Sequence, residues 1–97
     1  MKRPAAGEKK FERRVDFLAK FREDLAWFIK NDRQVAQKTL ELVESVIADP
    51  FAGIGKPEPL RHEFAGCWSR RITREHRLVY RVTADRIDFL QARYHYE

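Results

Sequence analysis

The chain has few of the residues that stabilise small secreted or metal-binding proteins through disulfides or bound metal ions. Cys67 is the single cysteine among 97 residues, so no disulfide can form within the chain. We expect its thiol to be a small, buried, apolar group. The lone cysteine provides no zinc ligand set, and the three histidines do not show the spacing of metal ligands. We therefore expect no metal site and no cofactor.

Long apolar runs are also missing. The longest, from Leu25 to Ile29, falls far short of the roughly 20 residues that a membrane-spanning helix needs. The beginning of the chain is basic, but no apolar stretch follows it, which is unlike a secretory signal. These features predict a cytoplasmic protein without membrane contact, and the length predicts one domain.

Positive charge is in excess and is unevenly distributed. The formal net charge is +5, with +4 in residues 1–14, −2 in residues 15–50 and +3 in residues 51–97. Residues 1–12 are polar and are interrupted by Pro4 and Gly7, so we expect a mobile basic extension before a domain that spans 13–97. The net charge favours a polyanionic or acidic partner.

The first half of the domain has helical periodicity. Val15, Phe17 and Leu18 suggest a short edge strand, and an apolar stripe that begins at Phe21 predicts a helix over about 19–30. Asp32 is a suitable cap for a second helix, which Pro50 ends, and the short link predicts a helical hairpin. The expected core positions of the second helix are Val35, Ala36, Thr39, Leu40, Val43, Val46 and Ile47.

The second half alternates with the period of strands. Residues 51–59 contain two glycines and two prolines and predict an ordered loop. Alternation over 68–73 and 77–82, with a third apolar run that begins at Ile87 and ends near Tyr94, predicts three strands. A short turn at 83–85 makes the last two antiparallel. The predicted fold class is α+β, with the helical hairpin packed on one face of a twisted antiparallel sheet.

The candidate functional residues are basic and aromatic. Most charge runs are solvated faces, but arginine also binds phosphate oxygens in pairs, so a phosphate-binding patch is the alternative. The patch would contain Arg70, Arg71, Arg74, Arg77 and Arg81, extended by Lys56 and Arg61. Bases could stack on four aromatic residues, which could equally be packing groups: Trp68, Tyr80, Tyr94 and Tyr96.

A carboxylate, an arginine and a histidine can together cleave RNA without a metal, by deprotonating the 2′-hydroxyl, stabilising the charged phosphorus centre and protonating the leaving 5′-oxygen. Glu58 lies between Pro57 and Pro59, which fix the direction of its side chain. His95 lies near the end of the chain, and His62 and His76 are further candidates.

Four segments resemble the YoeB/Txe family of bacterial toxins, within the RelE-like superfamily. They are Gly-Lys-Pro-Glu-Pro-Leu at 55–60, Trp-Ser-Arg-Arg-Ile-Thr at 68–73, His-Arg-Leu-Val-Tyr at 76–80 and Arg-Tyr-His-Tyr at 93–96. The resemblance implies a microbial-RNase-like fold and a type II toxin that enters the ribosomal A site and cuts mRNA there. It also implies a homodimer and a YefM-like antitoxin, with operator DNA contacted through the complex of toxin and antitoxin.

The resemblance also assigns roles to individual residues. It implies that Glu58 is the general base, that His95 is the general acid and that Arg77 stabilises the phosphate, while Tyr96 shapes the site. Arg61 and Arg71 match basic positions that are expected to contact RNA or rRNA. With them we group, as candidate RNA- or ribosome-binding residues, Lys56, Arg70, Arg74 and Tyr94.

The chain departs from the family pattern in three ways, none of which removes a proposed catalytic residue. These are the amino-terminal extension, Arg74 where an acidic residue is common, and Glu97 after the terminal tyrosine. Cations near Glu58 would weaken it as a base, so we expect free RNA to be a poor substrate. Three alternatives remain: a ParE-like toxin that binds gyrase, a non-catalytic nucleic-acid-binding module, and an inactive relative retained as an antitoxin partner.

Overall fold

A computed structural model of the chain describes residues 12–94, and residues 1–11 and 95–97 lie outside the described part. The predicted extension, residues 1–12, is therefore outside it except for Glu12. Two helices lie on one face of a five-stranded sheet. The elements are β1 (Arg14–Phe17), α1 (Ala19–Asn31), α2 (Arg33–Ala48), β2 (Glu58–Pro59), β3 (Cys67–Arg71), β4 (Arg77–Val82) and β5 (Arg86–Gln91), with a 3₁₀ turn at His62–Phe64.

The helices begin and end close to the predicted positions. Asp32 separates them, and its carboxylate accepts a hydrogen bond from the Val35 N–H, which confirms it as the cap of α2. The second helix ends at Ala48, two residues before Pro50. The two helices pack against each other, as predicted for a hairpin. Neither has the length and apolar character that would let it cross a bilayer.

The sheet has the strand order β1-β5-β4-β3-β2, and it is mixed rather than wholly antiparallel. Pairs β5–β4, β4–β3 and β3–β2 are antiparallel, but β1 runs parallel to β5, with Val15 opposite Ile87. The prediction of an antiparallel sheet was therefore wrong at this edge. A tight turn forces its two strands to be antiparallel, whereas β1 and β5 are joined through the helices and the other strands, a connection that permits parallel pairing.

The main core fills the space between the helices and the sheet. Its largest buried apolar side chains are Phe21, Phe28, Leu42, Val46, Leu78, Tyr80, Ile87 and Phe89. Leu40 and Ile47 were predicted to be core positions, but they are 46% and 41% exposed, and Leu42 is buried instead. Only one side of α2 faces the sheet, so the buried stripe is narrower than the apolar stripe in the sequence.

The opposite face of the sheet, which we call the open face, is covered in part. Leu60, Cys67 and Val79 form a second buried cluster there, with Phe64 and Leu90 packed against it. Cys67 is thus buried, as predicted, and burial raises the pKa of its thiol. This small cluster covers only part of the open face, and charged side chains occupy the positions on either side of it.

An ion-pair group on the open face links β4 to β5. Asp88 accepts hydrogen bonds from Arg86 at 2.9 Å and from Arg81 at 3.2 Å. Burial alone would raise the pKa of Asp88, but the bonds from the two arginines outweigh this effect, so its pKa lies below the ordinary value of 3.8. The ionised carboxylate therefore stabilises the folded state above that value, and this contribution is lost as the pH falls through the lowered pKa.

We predict that Asp88→Asn removes an acid-sensitive part of the stability. The free energy of unfolding of the wild-type protein should decline below about pH 4, and the variant should show a shallower decline. Urea unfolding between about pH 7 and about pH 2.5 measures this slope. The control is Asp85→Asn in the neighbouring exposed turn, which should keep the wild-type slope. Equal slopes in the wild type and Asp88→Asn would contradict the prediction.

Candidate active site

The open face brings Glu58 and Arg77 into contact. Glu58, at the start of β2, pairs with Ser69 on β3, and β3 in turn pairs with β4, which begins at Arg77. Arg77 Nη2 donates a hydrogen bond to Glu58 Oε1 at 2.7 Å. The Glu58 side chain is 59% exposed, whereas that of Arg77 is 11% exposed. The carboxylate is therefore accessible to a ligand in solvent, and the guanidinium lies beneath it.

Two further contacts fix Arg77. Its Nε donates to the hydroxyl of the fully buried Ser69 at 3.2 Å, and its backbone N–H donates to the Tyr94 carbonyl at 3.3 Å. A guanidinium has five N–H donors, so the bonds to Ser69 and Glu58 leave donors for phosphate oxygens. Ser69 was not among the predicted site residues, although strand alternation puts it on the same face as Arg71.

An open groove of about 650 Å³ adjoins Glu58 and is lined by residues 58–64. Three non-glycine residues around the site have positive φ angles: Lys56 at 54°, His62 at 60° and Tyr94 at 61°. Lys56 precedes Glu58 by two residues, His62 lines the groove, and Tyr94 contacts Arg77. Such conformations are unfavourable and persist where the surrounding structure imposes them, often at functional sites.

Arg70 does not belong to the exposed patch, which corrects its assignment to RNA binding. It is fully buried, and its guanidinium donates to the hydroxyls of Tyr80 and Ser45. It also donates to backbone carbonyls of the loop after α2, at Asp49, Ala52 and Ile54. Buried charge is costly unless it is fully hydrogen-bonded, and these five bonds satisfy that demand. Arg70 thus holds the loop that leads to Glu58.

The other predicted binding residues lie at the surface. Arg71 is exposed and lies opposite Arg77 in the β3–β4 register, so both face the open side. The remaining exposed candidates are Lys56, Arg61, Arg74 and Tyr94. Trp68 and Tyr80 pack against or within the core, which confirms their alternative interpretation as packing groups. His95, Tyr96 and Glu97 lie outside the described residues.

Two further polar residues hold the backbone of residues 92–94, the last that the structure describes. His76, a candidate acid in the sequence, is largely buried, and its Nδ1 accepts the Tyr94 N–H at 2.7 Å. Asp24 on α1 is buried and accepts hydrogen bonds from the N–H groups of Ala92 and Arg93. The sequence did contain a signal for Asp24, because this charged residue lies on the apolar stripe between Phe21 and Phe28. Residues 12–94 contain no cluster of three or more His, Cys, Asp or Glu side chains arranged to hold a metal.

Comparison with known proteins identifies the family. The family model described as YoeB-like toxin of bacterial type II toxin-antitoxin system matches residues 17–96. The chain belongs to this family. Toxin YoeB of Mycobacterium bovis is 49% identical over 84 residues, which cover 87% of this chain and 99% of that protein.

Solved structures of the family share the fold. The YoeB/ParE toxin from Agrobacterium tumefaciens has a TM-score of 0.81 at 39% identity, covering 86% of this chain and 99% of that one. A YoeB dimer from Staphylococcus aureus has a TM-score of 0.77 at 38% identity, with coverages of 88% and 99%. A heterotetrameric YoeB–YefM complex from the same organism has a TM-score of 0.76 at 39% identity, with coverages of 87% and 98%.

We predict that Gly53→Ala is far more destabilising than Gly66→Ala. Both glycines have positive φ, at 134° and 90°, but a Cβ on Gly53 would lie 2.4 Å from Ser45 Oγ and 2.9 Å from Arg70 Nη1. A Cβ on Gly66 would meet no atom within 4 Å. We expect costs of about 3 kcal/mol and about 1 kcal/mol in urea unfolding, because only Gly53→Ala disturbs the bonds of Arg70. Equal losses would contradict the role given to Arg70.

Proposed function

We propose that this protein is an endoribonuclease that cuts mRNA in the ribosomal A site and blocks translation, as the toxin of a type II toxin–antitoxin pair in the bacterial cytoplasm. The observation that carries the proposal is the contact between Glu58 and Arg77 on the open face. A carboxylate and a guanidinium that are distant in sequence meet where RNA can reach them. Membership of the YoeB-like toxin family supports the same function.

The proposed reaction is attack by a ribose 2′-oxygen on the adjacent phosphorus. Glu58 takes the proton of the 2′-hydroxyl, and Arg77 stabilises the negative charge that develops on the phosphorane oxygens. His95 gives a proton to the 5′-oxygen as its bond to phosphorus breaks. The products are a 2′,3′-cyclic phosphate, or the 3′-phosphate formed by its hydrolysis, and a 5′-hydroxyl. Each role is filled by a side chain, so the reaction as proposed requires no metal.

The contact between Glu58 and Arg77 also suggests how RNA activates the site. Without RNA, Glu58 Oε1 accepts the hydrogen bond from Arg77 Nη2. A scissile phosphate would compete for the same guanidinium, because phosphate and carboxylate present similar pairs of oxygens. Exchange of the two anions on Arg77 would release the Glu58 oxygen to accept the 2′-hydroxyl proton. Bound RNA would thus create the base that cleaves it.

The surrounding surface is suited to polyanions. Arg71 lies opposite Arg77 on the open face, and Arg61 lines the groove. Three further residues that are close in sequence to the proposed catalytic residues are exposed: Lys56, Arg74 and Tyr94. We propose that these residues contact mRNA and rRNA, and that Tyr96 helps to shape the site. Arginine forks and exposed aromatic rings are the groups that bind phosphates and unstacked bases.

The same proposal includes protein partners. Solved structures of relatives include a YoeB dimer and a YoeB–YefM complex from Staphylococcus aureus. We propose that this protein likewise forms a homodimer and binds a YefM-like antitoxin, and that operator DNA is contacted through that complex.

Replacement of the three reacting groups should stop cleavage without unfolding the domain. We expect Glu58→Gln, Arg77→Lys and His95→Ala each to slow cleavage of ribosome-bound mRNA by about 100-fold or more. Primer extension on mRNA from ribosomes carrying an A-site codon measures the rate. Glu44→Gln, on the exposed side of α2, is the control and should cleave normally. Full activity in His95→Ala would refute the proposed acid.

Cleavage should also depend on the ribosome. Alignment of the 2′-oxygen with the leaving group is worth several orders of magnitude in rate, and we propose that the ribosome supplies it. The same mRNA free in solution should therefore be cut at least about 100-fold more slowly than on programmed ribosomes. Equal rates would contradict this view. Inhibition of gyrase supercoiling without any RNA cleavage would instead favour the ParE-like alternative.

A further inference from the structure

Three flat side chains form an exposed cluster beside the start of β4. Trp27 on α1 is 41% exposed, and Tyr94, after β5, is 56% exposed. The guanidinium of Arg93 lies over both rings, with its Cζ 3.8 Å from the centroid of Trp27 and 5.0 Å from that of Tyr94. A planar cation over aromatic faces is attracted by both rings, so the three groups form one unit, which we call the stacking platform.

Tyr94 is held at the surface by three hydrogen bonds. Its N–H donates to His76 Nδ1 at 2.7 Å, its carbonyl accepts the Arg77 N–H at 3.3 Å, and its hydroxyl accepts a bond from Arg93 Nη2 at 3.2 Å. Its φ angle of 61° is unfavourable for a residue with a side chain. Since more than half of the side chain is exposed, burial does little to offset this cost. The fold thus orders a large ring where a ligand can reach it.

Arg93 is committed to the platform in the same way. Its backbone N–H donates to the buried Asp24 at 3.1 Å, which fixes the residue beside α1. Among the described residues, no acceptor bonds to its buried Nε. The lost hydration of this group must be offset by the ring of Trp27 beneath the guanidinium. Trp27 in turn stands at 76° to the ring of Phe28, a buried core residue. The platform is therefore formed before any ligand binds.

The chemistry of the platform is suited to an RNA base. Unpaired bases stack on aromatic rings and on arginine planes, and every base has a face that can do so. Trp, Tyr and Arg are also common anchors of protein interfaces. Continuity with the candidate site favours RNA, because the Tyr94 carbonyl is bonded to Arg77, the residue proposed to bind the scissile phosphate. The net charge of +5 favours the same polyanion.

We propose that Trp27, Arg93 and Tyr94 form a binding site for one unstacked RNA base next to the candidate active site. The proposal rests on the proposed function and adds to it a contact on α1, an element that contributes no other RNA-binding residue. The base belongs either to the mRNA in the A site or to rRNA, and stacking has the same chemistry in both cases.

Binding to ribosomes tests the platform without cleavage. The ribosomes carry mRNA that is methylated at the 2′-oxygen of the cleavage site and so cannot be cut. Trp27→Leu and Tyr94→Leu should each weaken binding of the protein by about 5- to 100-fold, the range for loss of one stacked base. Trp27→Phe and Tyr94→Phe keep a ring and should bind within about threefold of wild type. Two independent positions keep the test decisive if one variant does not fold.

Phe51→Leu is the matched control for these variants. Phe51 lies on the loop after α2, is 47% exposed and has the guanidinium of Arg13 at 5.6 Å from its ring centroid. Its replacement thus removes an exposed ring with a neighbouring arginine from outside the platform. This variant should bind the programmed ribosomes as tightly as wild type does.

Abasic nucleotides identify the source of the base. Each of the three A-site codon nucleotides is replaced in turn by an abasic one. If the base belongs to mRNA, one of these replacements weakens binding of the wild type, and Trp27→Leu loses no further affinity on that mRNA. If the base belongs to rRNA, Trp27→Leu has the same defect on every mRNA. Both results support a site for an RNA base.

Wild-type affinity of both Trp27→Leu and Tyr94→Leu for the programmed ribosomes would overturn the proposal. If the same two variants then failed to bind a YefM-like antitoxin that neutralises the wild type, the platform would be a protein interface instead. The proposed function is tested separately with unmethylated mRNA. Wild-type protein that binds these ribosomes without cutting the mRNA would refute the nuclease, whereas a binding defect of Trp27→Leu would still establish the platform.

Discussion

Strand β3 positions the candidate site from both of its faces. Toward the helices, Arg70 is buried and donates to three carbonyls of the loop that leads to Glu58. Toward the open side, the neighbouring Ser69 accepts a hydrogen bond from Arg77. The Arg71 N–H also donates to the Gly55 carbonyl at 2.7 Å. Adjacent residues of a strand point to opposite faces, so this short segment orders both the loop that carries Glu58, the proposed base, and Arg77, the proposed phosphate-binding residue.

This arrangement keeps the two opposite charges of the candidate site in contact on one face of the sheet. Arg77 is nearly buried beside Ser69, whereas Glu58 is largely exposed, so the guanidinium is the fixed partner and the carboxylate the accessible one. An arriving phosphate would find donors already oriented, which reduces the reorganisation that catalysis requires. The Tyr94 backbone is held beside Arg77, because its N–H donates to His76 Nδ1 and its carbonyl accepts the Arg77 N–H.

Much of the fold could be predicted from local patterns. The apolar stripe of α1, the cap at Asp32 and the break at Pro50 defined the helices, because each is a local effect of backbone geometry. The parallel pairing of β1 was missed, since it depends on a partner at the far end of the chain. Leu40 and Ile47 were misjudged because an apolar stripe does not reveal how wide a helix face its neighbours cover.

The residues of the candidate site could be predicted only in part. Composition could not distinguish the buried Arg70 from the exposed Arg71, although the alternation with Trp68 and Ile72 already put Arg70 on the core side of β3. The acceptors of Arg70 are mostly backbone carbonyls, which carry no sequence signature. Glu58 and Arg77 were already candidates from the residues themselves, and a family resemblance gave each its role. Their contact depends on the register of three strands.

The most direct test of the account is a structure of the protein on a ribosome, with an mRNA whose 2′-hydroxyl at the cleavage site is methylated. We expect the scissile phosphate to bind Arg77, the bond between Arg77 and Glu58 to be broken, and a Glu58 oxygen to lie within about 3 Å of the 2′-oxygen. An intact Glu58–Arg77 pair, with the scissile phosphate bound elsewhere, would contradict it.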